Sequence, residues 1–323
     1  MKHLNLLRTT DSFIVRKSKS EEQINEIREI FDLNIDSTQY SDIAIYCGGS
    51  LGRGDFGKNS DLDLFILSNK KSKDIKRIER LKLLSSVIRI NKKLGFNEFS
   101  NDGQYLHVYS FPDMLDALGS PVDDIHNLFT ARMLLLLESK PIFNNENYSN
   151  QFENAINHYY RDSKNRKSFR PLFLINDILR YWRTLCLNYE LIRNDINRPW
   201  RKKNINLKFS RMLTIFGTIL PLISKPASTK ECVINLIKLT PLERLAIGID
   251  YMKLKDIQSG FVEFISIYEN FLKLKENMGS KSSPDDTSFD RETKKMENSF
   301  SWFLYKCLTH ENINKEYIKY LIL

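Results

Sequence analysis

Residues 48–67, GGSLGRGDFGKNSDLDLFIL, set a glycine-rich turn a short way ahead of two aspartates spaced two apart in an apolar run. Read as a strand over 61–67, the run puts Asp61 and Asp63 on one face and Leu62, Leu64 and Ile66 on the other, because strand side chains alternate. Two carboxylates roughly 7 Å apart on one face repel unless water screens them or a cation sits between them. A hard divalent ion answers the problem, since Mg²⁺ takes oxygen ligands and completes its shell with phosphates and water. The pattern therefore points to metal-dependent phosphate chemistry.

Upstream, the apolar run 43–47 predicts a strand that ends at Gly48-Gly49-Ser50, where glycine lets the backbone come close to a ligand. Ser50 is placed to cap a short helix. With the Gly48 and Gly49 amides it forms a site for a β- or γ-phosphate at a helix N-terminus. Arg53 and Asp55, in the same turn, are expected to pair and shape it. Alone, Gly-Gly marks any tight turn and Asp-x-Asp any solvated strand edge; the eleven residues from Ser50 to Asp61 make the combination specific.

Gly-Gly-Ser, Arg-Gly-Asp and Ser-Asp-Leu-Asp-Leu together resemble the signature of the DNA polymerase β nucleotidyltransferase superfamily. The nearest flavour is the PII uridylyltransferase type, with a more distant likeness to nucleotide-signal synthases of bacterial defence, which usually carry Thr where Asp55 stands. The resemblance spans residues 43 to about 140. It implies two-metal nucleotidyl transfer from an NTP or dNTP with Mg²⁺ or Mn²⁺, Asp61 and Asp63 as metal ligands, and Gly49, Ser50 and Arg53 around the triphosphate. It also implies a third carboxylate from a later strand. A strand over 104–111 is the candidate, which makes Asp102 the first choice for that acid and Glu98 the second. Asp102-Gly103 is equally a hairpin-turn signal, and His107 reads as structural.

The chain has 323 residues, 41% of them hydrophobic, enough for two domains. The longest apolar stretch, 212–223, is short for a bilayer and contains Pro221, so no membrane insertion is expected. The first residues lack a signal-length apolar core. Four scattered cysteines without a Cys-x-x-Cys suggest neither zinc nor a disulfide scaffold, and a cytoplasmic location.

The net charge of +9 is uneven. Residues 161–211 hold fourteen Lys and Arg against four Asp and Glu, whereas the remainder holds 35 against 36. Such an excess reads as a surface for a nucleoside triphosphate, single-stranded nucleic acid or both. Within it, 174–191 has a helical stripe of Ile178, Tyr181, Trp182, Leu185, Cys186 and Tyr189, with Arg180 and Arg183 one turn apart. Lys202 and Lys203 open a further helix running to about 219. By resemblance, Lys208 and Ser210 on it join Arg180 as triphosphate contacts.

The expected fold is α+β: a small mixed-sheet, palm-like nucleotidyltransferase domain over 1–140, a helical nucleotide-facing domain over 150–275, and a linker with a C-terminal helical segment over 276–323. Helices are expected over 20–31, 74–94 and 123–139, with 140–150 as a connection and 275–292 as a flexible linker. A phosphate-tracking basic stretch suits a synthase of a nucleotide or oligonucleotide signal, of antiviral-defence type, for which an effector protein is the expected partner. A toxin that nucleotidylates protein or tRNA, and a catalytically inactive nucleotide-binding regulator, are the alternatives.

Overall fold

The computed structural model describes residues 1–99, 102–103, 105–164, 169–191, 193, 200–224, 229–253, 257–277 and 287–322. The chain divides into two compact units, Val15–Arg161 and a second made of Met1–Ile14 with Asp162–Leu323. The expected boundary at 140–150 thus moves some way on, and the first residues leave the catalytic half.

The chain starts with α1 (Lys2–Arg8) and α2 (Asp11–Asn34). The first unit then runs β1 (Ile43–Cys47), α3 (Gly49–Arg53), β2 (Leu64–Ser68), α4 (Arg77–Lys93), β3 (Val108–Ser110), α5 (Phe111–Asp116), α6 (Pro121–Ile125), α7 (Leu128–Glu138), β4 (Lys140–Phe143) and α8 (Asn145–Tyr159). The four strands form a mixed sheet in the order β3-β2-β1-β4. β1 lies antiparallel to β2 and β4, and β2 lies parallel to β3, which α4 makes possible as the crossover. The fold is α+β, as the sequence implied.

Alternation decides what each face of the sheet buries. Ile43, Ile45, Cys47, Leu62, Leu64 and Ile66 join one core with Ile24, Ile27 and Phe31 of α2 and Leu83, Val87 and Ile90 of α4. On the opposite face Tyr46 stacks on Phe65, its register partner, and donates its hydroxyl to the Ala131 carbonyl of α7.

Several expected elements change. The stretch read as a connection contains β4, whose Tyr46↔Pro141 and Cys47↔Lys140 pairings make it the outer neighbour of β1. The helix expected over 123–139 is two helices, broken at Asn127 in left-handed backbone with φ 56°. The break lets Asp123 reach Arg132, which one straight helix would hold about 13 Å further along its axis. The pair is bidentate, at 2.6 and 2.8 Å, and fully buried; Arg132 also donates to Tyr159 Oη and the Met114 carbonyl. The strand expected over 104–111 is three residues long. Gln104 lies outside the described residues, and Phe111 already opens α5 over a Ser110 cap.

The second unit is helical. It holds α9 (Leu172–Leu191), α10 (Trp200–Asn206), a π-helical turn (Leu207–Arg211), α11 (Met212–Ser224), α12 (Lys230–Ile237), α13 (Pro241–Met252), α14 (Gln258–Asn277), α15 (Thr287–Leu308) and α16 (Lys315–Ile322). Phe209, Phe264, Tyr268, Phe271, Phe300 and Phe303 stack in its centre, so the C-terminal segment belongs to this core. The middle of the expected linker, 278–286, lies outside the described residues. α1 joins this unit through Asp250 of α13, which accepts from the His3 and Leu4 amides and lies 2.7 Å from His3 Nδ1. Pro221 lies inside α11 instead of ending it. The helical stretch Lys203–Ser224 is long and apolar enough to cross a membrane by length and composition, but 72% of that window is buried in the fold.

Replacing one partner of a buried ion pair strands the other charge. Asp123→Ala is expected to lower unfolding stability by about 3–5 kcal/mol, read from urea denaturation. A loss below 1 kcal/mol or so would mean that Arg132 reaches water.

Candidate active site

β1 ends at Cys47 and the backbone turns at once into α3, with Gly48 as its N-cap residue. Ser50 is therefore not the cap; it sits one residue inside the helix and is buried. The Gly48 amide is also committed, since it donates to the Asp63 carbonyl at 2.9 Å and extends the β1–β2 ladder past its last pair. Gly49, at φ 62°, adopts the left-handed conformation that glycine tolerates. A β-carbon there would overlap the Asp63 carboxylate, so the turn lies directly against that aspartate. Gly52 is equally constrained, because its β-carbon would overlap the Glu138 carbonyl oxygen of α7.

Asp61 and Asp63 precede β2 instead of lying within it, yet the alternation continues through them: Leu62 is buried and both aspartates are exposed. The expected sharing of one face is kept although both aspartates lie beyond the last registered β1–β2 pair, with the Gly48–Asp63 bond continuing the ladder there. Asp61 Oδ1 accepts from Asn97 Nδ2 at 3.0 Å. Asn97 is itself held by the Asn91 side chain of α4, which donates to its carbonyl at 2.8 Å. The sequence reading missed Asn97; its only signal was its place in the segment between α4 and β3.

The Arg53–Asp55 pair expected from the turn is present, with Nε and Nη2 each 3.2 Å from a carboxylate oxygen. A third group was not foreseen: Arg53 Nη1 donates to Glu138 Oε2 at 2.7 Å. Arg53, Asp55 and Glu138 are all less than a tenth exposed. The guanidinium that was assigned to the triphosphate is thus spent on two carboxylates, tying α3 to α7. Burial pushes the neighbouring Cys47 thiol up to about 12, so it is neither a nucleophile nor a thiolate ligand at neutral pH.

Asp102 lies on an exposed turn, with Asp102 at φ 54° and Gly103 at φ 70°. The turn-forming side of that dipeptide's two readings is what the backbone shows, ahead of a parallel strand and not within a hairpin. Among the described residues no three His, Cys, Asp or Glu side chains gather into a metal-holding group, so Asp102 is not assembled with Asp61 and Asp63. β3 itself carries Val108, Tyr109 and Ser110, none of them acidic.

In the helical unit, Arg180 lies 3.7 Å from Asp177, and Lys208 forms an ion pair with Glu297. Ser210 is 1% exposed, its hydroxyl 3.4 Å from Tyr268 Oη. The π-turn carries Phe209 and Ser210 into the core while leaving Lys208 part-exposed, so Ser210 as it stands does not face a ligand. The Lys202 side chain lies outside the described residues.

Gly49→Ala should collide with Asp63 and also strain the backbone, at about 1–2 kcal/mol for the left-handed conformation alone. Gly52→Ala, pressed on main chain that cannot swing away, should lose more. Thermal melts of both variants check this, and equal, negligible losses would refute the close packing of α3.

Residues 21–105, from within α2 to just short of β3, match the family model described as Nucleotidyltransferase domain. No curated protein matches the chain. The turn, the two carboxylates and strands β1 and β2 lie within the matched stretch, with β3 and β4 beyond it, and that stretch is similar to a polymerase β-like nucleotidyltransferase domain, whose general chemistry is nucleotidyl transfer.

Proposed function

We propose that the protein transfers a nucleotidyl group from an NTP or dNTP to a hydroxyl, with Asp61 and Asp63 as ligands of Mg²⁺ and the Gly49–Ser50 turn against the triphosphate. The observation that carries this is the packing of Gly49 on Asp63, which brings the phosphate-binding turn and a metal-type carboxylate within touching distance. The donor set fits the ion: two exposed carboxylates offer oxygen ligands only, which suits Mg²⁺ and also Mn²⁺. Bound there, the metal would neutralise triphosphate charge and lower the pKa of the attacking hydroxyl.

The chain's own residues prepare that chemistry. The acceptor hydroxyl gives up its proton to solvent as its oxygen bonds to the α-phosphorus, the bond from that phosphorus to the α–β bridging oxygen breaks, and pyrophosphate leaves. Asn97 keeps the Asp61 carboxylate in one orientation, and the Arg53 fork fixes the turn on which the leaving group rests. Arg180 and Lys208, each about a third exposed, are the helical unit's candidate cations for an anionic ligand. The excess of positive charge over 161–211 favours a polyanionic acceptor or product, hence synthesis of a nucleotide or oligonucleotide signal of the bacterial-defence kind. A second reading has its own support: with no third acid assembled beside Asp61 and Asp63 among the described residues, the domain would bind nucleotide as an inactive regulator.

The deciding experiment incubates the purified chain with each labelled NTP and dNTP plus Mg²⁺ or Mn²⁺. Oligonucleotide products support the synthase, self-labelling points to a protein-modifying enzyme, and metal-dependent binding without turnover supports the regulator. If transfer occurs, Asp61→Ala and Asp63→Ala should each cut it by at least about a hundredfold. Thermal stability should hold or rise slightly, because one of two like charges is gone. Transfer that persists in the double variant would end the assignment.

A further inference from the structure

α4 turns Leu83, Val87, Ile90 and Asn91 inward, and leaves Ile78, Leu81 and Ile88 on its outer side at 68%, 54% and 52% exposure. At 3.6 residues per turn, these three share one stripe with Ser85. Arg77 borders the stripe on one side, and Lys82, Arg89 and Lys93 border it on the other. Residues 70–93 contain ten Lys and Arg against two Asp and Glu. Lysines at the start of this stretch are neutralised: Lys70 by Asp42, Lys71 by Asp116 and Lys76 by Glu79. Among the described residues, the helix's own cations Arg77, Arg80, Lys82, Arg89, Lys92 and Lys93 form no ion pair; Arg89 donates only to Ser86 Oγ.

An exposed aliphatic stripe flanked by unneutralised cations calls for a partner that is both apolar and anionic. A nucleic-acid strand would pair the cations and leave three aliphatic side chains in water. A partner helix needs an unbroken apolar seam, and Ser85 and Lys92 interrupt this one. A bilayer surface requires neither a seam nor a pocket: its headgroups meet the cations while the aliphatics enter the headgroup–acyl boundary, and a convex helix face suits a plane. We propose that the outer face of α4 rests on an anionic phospholipid surface, as a peripheral contact separate from the nucleotide site.

The test is co-sedimentation of the full chain with phosphatidylcholine vesicles, with and without phosphatidylglycerol. Binding should need phosphatidylglycerol and weaken with salt. The triple variant Ile78→Ser, Leu81→Ser, Ile88→Ser should weaken it by about tenfold or more, as should Arg77→Gln, Lys82→Gln, Arg89→Gln. Both variants alter exposed side chains, and unchanged thermal melts would show that they fold. Absence of phosphatidylglycerol-dependent binding overturns the proposal. So does full retention by the serine variant, which would make the face a plain polyanion site, and polyuridylate binding lost in the glutamine variant alone would then identify it as one for nucleic acid.

Discussion

The buried guanidinium of Arg53 is the interaction on which the site depends. It divides its donors between Asp55, two residues on, and Glu138, eighty-five residues on, and so ties the short helix after β1 to the end of α7. The Glu138 backbone presses on Gly52 from the same direction. Held in this way, the turn has one place to be, and that place puts Gly49 against Asp63. A five-residue helix has little stability of its own. Its position comes from tertiary contacts, and a guanidinium with three charge-assisted bonds supplies a rigid and directional one.

The second support is the sheet. Because β1 pairs antiparallel with β2, the end of β1 and the start of β2 coincide, and the Gly48 amide closes on the Asp63 carbonyl there. The glycine turn and the aspartates, well apart in sequence, meet for that reason. α4 then brings the chain back so that Asn97, held through its carbonyl by Asn91, reaches Asp61 from a third direction.

What was legible in the sequence is what depends on local pattern. Alternation in 61–67 gave the shared face of Asp61 and Asp63, the apolar run gave β1 to the residue, and proximity gave Arg53–Asp55. Contacts between distant residues were not legible: Glu138 and Asn97 have no motif, and only the fold places them. The same limit explains β4, a four-residue strand with a proline that reads as a connection until β1 is there to pair with it. It explains the split of α6 from α7 as well, since a run of leucines says nothing about an αL asparagine whose benefit is a buried pair nine residues apart. Ser210 rested on resemblance alone, which says nothing of burial, and the π-turn carries it into the core.

Paramagnetic broadening by Mn²⁺ in amide-resolved NMR spectra tests most directly whether Asp61 and Asp63, with the turn against them, form the metal site. At substoichiometric Mn²⁺, the signals of Gly49, Asp61, Asp63 and Asn97 should fade first, and added NTP should strengthen the effect. Early broadening centred elsewhere, with these four signals unaffected, would contradict that assignment and leave Gly49 and Asp63 as a structural contact.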